Sequence, residues 1–103
     1  MWYAENKQRG NDLVDWETVS YVFSSELRFK TLVELSKSKY TPKQLSLFLK
    51  QPISHVSKAL SELRIKGLVK CLTPNAKKAR LYTITKNGNQ VLDEISKLTN
   101  RRK

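Results

Sequence analysis

Two short segments of this chain carry side chains suited to binding a polyanion. The first is Ser54-His55-Val56-Ser57-Lys58-Ala59-Leu60-Ser61, and the second is the turn region with Lys77, Lys78 and Arg80. Hydroxyls, an imidazole and ammonium groups donate hydrogen bonds to phosphate oxygens and to base edges, and none of them needs a cofactor to do so. A wider field surrounds both segments. Between Lys37 and Lys86 there are twelve Lys or Arg and a single acid, Glu62. That stretch therefore holds a charge equal to the +11 of the whole chain, while residues 1–36 come to −2 and residues 87–103 to +2. A solvated face interleaves acids with bases, and this one does not. A one-signed field of this kind is the electrostatic footprint of a nucleic-acid binder.

These side chains need rigid elements to hold them. Apolar Val56, Ala59, Leu60 and Leu63 fall within about 60° of one another at about 100° per residue, so a helix from Ile53 or Ser54 to Lys66 has one core face. Ser54, Lys58 and Ser61 then lie on the far side, flanked by His55 and Ser57, and Ile65 also projects outward. A small, hydroxylated, basic outer face suits entry into a groove roughly 12 Å wide. Ser54 reads equally as the cap of this helix and as a contact residue, and the two roles are compatible. Gly67 is the natural terminator.

Upstream, Thr41-Pro42-Lys43-Gln44 is a helix start: Thr caps, Pro takes the first position and Gln reaches back. The helix it opens, to about Leu49, turns Leu45, Phe48 and Leu49 inward, and Lys50-Gln51-Pro52 makes the turn to the next. Before it, a helix from Leu13 to about Phe23, capped by Asn11 or Asp12, places Trp16, Val19, Val22 and Phe23 at helical spacing. A second helix, capped by Ser24 or Ser25, runs to about Ser36 with Leu27, Leu32, Val33 and Leu35 inward. Downstream, Leu68–Leu72 and Ala79–Ile84 read as strands around a turn built on Pro74-Asn75. Thr85 caps a last helix, Lys86 to about Leu98, with the stripe Val91, Leu92, Ile95, Leu98. Asn87-Gly88 is also a hairpin signal, but no alternating strand follows it. The expectation is a mainly α domain with a small β-hairpin over residues 12–98. A loose arm (1–11) precedes it and a basic tail (99–103) follows.

In order and spacing, Thr41-Pro42-Lys43-Gln44-Leu45, Ser54–Leu60, Leu63, Gly67-Leu68-Val69, Arg80–Thr85 and Gly88 resemble the winged helix-turn-helix regulators of the ArsR and MarR type. The likeness is nearest to their small archaeal members. The resemblance implies a reading helix at Ser54–Lys66 and a wing at Leu68–Ile84. It further implies sequence-specific double-stranded DNA binding and transcription regulation. Ser54, His55, Ser57, Lys58 and Ser61 would meet DNA from the reading helix, Lys77, Lys78 and Arg80 from the wing, and Thr41 and Lys43 at the backbone. Metal sensing is not carried over, because Pro42–Leu49 holds none of the cysteines that ArsR metal sensors place there.

Trp16, Tyr21 and Phe23 on the first helix, with Leu92 and Ile95 on the last, exceed what one small core needs. They read either as core or as a homodimer interface of the terminal helices. A dimer would place two reading helices on two half-sites.

Other classes fit less well. With one histidine, one cysteine and no paired carboxylates on a shared face, no catalytic set is assembled, and no metal or cofactor is expected. Cys71 reads as a strand residue beneath the wing. None of the nine aromatics lies on the reading face, which argues against stacking on single strands. Architectural DNA coating and protein–protein assembly remain alternatives. No apolar run reaches the roughly 18–20 residues of a membrane span, and the first five residues lack a secretion signal, so a cytoplasmic, nucleoid-associated protein is expected.

Overall fold

The computed structural model describes residues 16–100, with side chains as far as residue 97. The expected arm, the cap at Asn11 or Asp12, Leu13, the side chain of Leu98 and the tail residues Arg101-Arg102-Lys103 lie outside the described residues. The elements in order are α1 (Trp16–Phe23), α2 (Glu26–Lys37), α3 (Pro42–Leu49), α4 (Ile53–Ile65), β1 (Val69–Cys71), β2 (Tyr82–Ile84) and α5 (Lys86–Asn100). The architecture is mostly helical with a two-stranded antiparallel hairpin. No helix among the described residues is long and apolar enough to cross a membrane.

Helix α2 is the hub, packing on α1, α3, α4, α5 and β2. Its start follows from Ser25, whose hydroxyl accepts the amide of Arg28 at 3.3 Å, with Glu26 adding negative charge at the positive end of the helix. Leu32 and Leu35 are fully buried, whereas Leu27 and Val33 are only half-buried at the edges of the stripe. Around them close Leu45 from α3, Val56, Leu60 and Leu63 from α4, Leu68 and Val69 at the hairpin, and Val91 and Ile95 from α5. Each of these large side chains contributes roughly 1.5–3 kcal/mol through burial.

Two expected inward sets differ. On α1 only Val19 and Val22 bury, while Trp16 and Phe23 stand 62% and 54% exposed. The reason is geometric: α1 meets the body along one narrow strip against α5 and α2, and residues three apart fill it. On α3, Leu45 is buried and Leu49 half-buried, but Phe48 is 60% exposed. Its ring instead lies edge-on to Tyr40, centroids 5.1 Å apart.

The capping box at the start of α3 is complete: Gln44 N–H donates to Thr41 Oγ1 at 3.2 Å, and Thr41 N–H donates to Gln44 Oε1 at 2.9 Å. Lys50 takes the left-handed conformation (φ 57°) that closes α3 and turns the chain towards α4. Gly67 does the same after α4 at φ 77°, where only a residue without Cβ is unstrained. This sends Leu68 into the core and Val69 into the hairpin.

The hairpin is shorter than expected. Its register is Val69↔Ile84, Lys70↔Thr83 and Cys71↔Tyr82, three pairs rather than five or six. Beyond it one more backbone bond crosses, Leu72 N–H to the Leu81 carbonyl at 2.6 Å, and then Leu81 N–H donates to Thr73 Oγ1 at 2.9 Å and Ala79 adopts φ 55°. A side-chain acceptor competes with the ladder and ends it. A third edge was not foreseen. Tyr40 pairs with Tyr82 in an isolated bridge, its N–H donating to the Tyr82 carbonyl at 3.2 Å and its carbonyl accepting the Tyr82 N–H at 2.9 Å.

Thr85 joins the hairpin to α5. Its hydroxyl donates to the Gly67 carbonyl at 2.7 Å and accepts the Gly88 amide at 3.2 Å, so one side chain caps α5 and anchors the end of α4. Asn87-Gly88 is helical, and Gly88 is there for space: a Cβ would fall 2.3 Å from the Leu68 carbonyl oxygen.

Candidate nucleic-acid interface

The outer face of α4 is built as its wheel requires. Val56, Ala59, Leu60 and Leu63 are at most 3% exposed, whereas Ser54, His55, Ser57, Lys58 and Ser61 are all exposed. The amphipathic pattern thus leaves one contiguous hydroxylated and basic strip on a helix whose other side is locked into the core. None of these five side chains bonds to another described residue, so their donors face outward unspent. Ser54 is not the cap. Pro52 holds that position without a side-chain bond, and Ser54 is the second residue of the helix. Intrahelical bonding begins with the His55 and Val56 amides, both donating to the Pro52 carbonyl at 3.0 and 3.1 Å. The amides of Ile53 and Ser54 precede the ladder, at the end of the helix that attracts anions.

The other expected residues divide into two places. Thr41 and Lys43 sit at the start of α3, which packs directly on α4. Lys43 is exposed, whereas Thr41 is half-buried and its hydroxyl already accepts the cap bond. Lys77, Lys78 and Arg80 are exposed on the connection between β1 and β2. There Arg80 Nε donates to the Ala76 carbonyl at 2.8 Å, which stiffens the loop that carries the two lysines.

The structure adds residues that inspection of the chain did not pair. Glu62, the one acid of the basic stretch, is half-buried on the flank of α4. It is held by Arg28 of α2, Nη1 to Oε1 at 3.0 Å. Nothing local signals this contact, because the partners are 34 residues apart. Exposed Lys70 on β1 and Arg64 near the end of α4 extend the field. Ile65 is 78% exposed, in agreement with its place on the wheel. Cys71 is half-buried opposite Tyr82. Among the described residues no group of three or more His, Cys, Asp or Glu could hold a metal ion.

Of the five residues that read as core or interface, Ile95 is core and Leu92 packs against it. Tyr21 is taken up by Arg28, whose guanidinium lies 3.8 Å over its ring. Only Trp16 and Phe23 remain on the surface.

No protein-family model and no curated protein sequence matches this chain. Solved structures do, and they are MarR-family winged-helix transcription regulators. The reduced form of MarR from E. coli is 27% identical with a TM-score of 0.66, over 82% of this chain and 63% of that one. The transcriptional regulator BldR from Sulfolobus solfataricus is 26% identical with a TM-score of 0.64, over 76% and 60% respectively. A mutant MarR from E. coli, complexed with operator DNA, is 23% identical with a TM-score of 0.68, over 82% and 64%. The fold is thus the MarR-family winged helix. The chain spans between about half and two thirds of the length of these neighbours, 53% in the case of ZitR from Lactococcus lactis.

Proposed function

We propose that this chain is a sequence-specific, double-stranded DNA-binding transcriptional regulator of the winged-helix kind, its domain spanning 12–98. The observation that carries the reading is the outer strip of α4: five exposed donors, Ser54, His55, Ser57, Lys58 and Ser61, on a helix fixed from behind by four buried apolar residues. Base reading needs short donors on a rigid element, and phosphate contacts need cations around it. In this reading α4 enters the major groove and Lys77, Lys78 and Arg80 grip the adjacent backbone. Lys43 and the start of α3 touch phosphate, and the +11 charge drives association by counterion release. The complex of a structural neighbour with operator DNA supports the same class of partner. The likeness to the ArsR type and to small archaeal members belongs to this proposal, as does a cytoplasmic, nucleoid-associated location.

A homodimer through α1 and α5 is part of the reading, and the exposed Trp16 and Phe23 support it. Two copies would present two reading helices to half-sites about one helical turn apart. A second reading, a protein-assembly module, draws on exposed Leu47 and Phe48, at 70% and 60%. Selection from a library of random duplexes, with a salt titration of the bound fraction, separates these readings. An inverted-repeat motif supports the dimeric regulator. Tight binding without a motif favours architectural coating, and no binding at low salt favours assembly.

A further inference from the structure

Apolar packing locks the inner side of α4 into the core, and a directional contact on its flank can refine that position. Of the ion pairs among the described residues, Arg28–Glu62 alone joins two elements, and the other four lie within a helix. Glu62 is seven residues on from His55 and four from Lys58, so the three share a flank of α4. They line one groove of about 270 Å³ with Arg28 opposite. The Arg28–Glu62 pair therefore fastens the same flank of α4 that carries His55 and Lys58.

Arg28 is itself held on every side. Its Nε donates to the Tyr21 carbonyl at 3.1 Å, Nη2 to Ser24 Oγ at 3.3 Å and Nη1 to Glu62 at 3.0 Å, with Cζ 3.8 Å from the Tyr21 ring centroid. A planar fork with this many fixed partners has one orientation, which a lysine cannot reproduce. Tyr21 also takes Lys66, at the C-terminal end of α4, with its ammonium 5.0 Å from the ring. The end of α1 thus touches the C-terminal end of α4 through Lys66 and reaches Glu62 only by way of Arg28.

We propose that Arg28 is a positioning residue for DNA recognition: through Glu62 it sets the orientation of α4, and it draws the one acid of the basic stretch away from phosphate. This rests on the reading of α4 as the DNA-contacting helix. Arg28 contributes to discrimination between sequences rather than to bulk attraction, although it is a cation.

The test uses the full chain, its selected duplex and a scrambled duplex of equal length, with wild type, Arg28→Lys and Glu62→Gln compared at fixed salt. Arg28→Lys keeps the charge and loses the fork. It is expected to weaken binding to the selected duplex by about fivefold or more, with the scrambled duplex within about twofold. Glu62→Gln removes a negative charge, so it is expected to raise affinity for the scrambled duplex while lowering it for the selected one, a split that plain loss of stability would not produce. Thermal unfolding identifies a variant that fails to fold, and the other variant then decides. If the folded variants discriminate as wild type does, or lose both affinities equally, the positioning role is overturned. If wild type itself does not discriminate, the reading beneath it fails and takes this inference with it.

Discussion

Replacing Lys77 and Lys78 together by alanine tests the division of labour between wing and reading helix. Both ammonium groups are exposed on the β1–β2 connection and neither is in an ion pair among the described residues. Surface changes of this kind alter stability by no more than about 0.5 kcal/mol, so binding can be read without a folding correction. If each lysine neutralises one phosphate, each contributes about 0.9 to the slope of log affinity against log salt. The pair accounts for about 1.8, which is an approximately 12-fold share of the affinity lost between about 50 mM and about 200 mM salt. The variant should therefore bind selected and scrambled duplexes equally more weakly than wild type. That deficit should shrink about 12-fold across the salt range. Fluorescence anisotropy on both duplexes at four or more salt concentrations measures it. Lys58→Ala is the control, expected to cost about 1–3 kcal/mol on the selected duplex and much less on the scrambled one. Indistinguishable behaviour of the two variants, in slope and in selectivity, would refute the assignment of phosphate contacts to the wing and base reading to α4.

Further outcomes follow from packing. Gly88→Ala should cost more than about 2 kcal/mol in urea unfolding, since its Cβ would meet the Leu68 carbonyl oxygen at 2.3 Å, a backbone atom that already accepts the Thr85 amide. Gly67→Ala meets nothing within 4 Å and should cost only the roughly 1–2 kcal/mol of a left-handed backbone, so equal losses at the two sites would contradict the packing described. Thr41→Ala removes half of the capping box and should destabilise by about 1 kcal/mol, read as a lower thermal midpoint. Leu45→Ala, at a fully buried site, should cost about 2–5 kcal/mol. Phe48→Ala one turn on should cost clearly less, and the reverse order would mean that α3 is rotated.

How much of this was open to inspection of the chain depends on the range of the interaction. The α3 cap was legible because both of its hydrogen bonds close within four residues, Thr41 to Gln44. The outer face of α4 was legible for a similar reason, as a helical period fixes which of Val56, Lys58, Ala59 and Leu60 share a side. Phe48 was misplaced because an apolar residue at the margin of a stripe goes wherever a neighbour offers a surface. Here that neighbour is Tyr40, which itself pairs across the chain with Tyr82. Ser54 was open to a capping role on residue type alone, and the turn geometry gave the cap to Pro52.

By itself the order of residues determined the helices within the described residues, the cap of α3, the exposed face of α4 and the one-signed field, since all of these follow from local hydrogen bonds, side-chain period and charge. Tertiary structure decided the rest. It paired Glu62 with Arg28, cut the hairpin to three rungs, and brought the Leu68 carbonyl against Gly88 and the Gly67 carbonyl to Thr85. Those are contacts between residues far apart along the chain, and no spacing encodes them, because they exist only once the apolar faces have closed on one another.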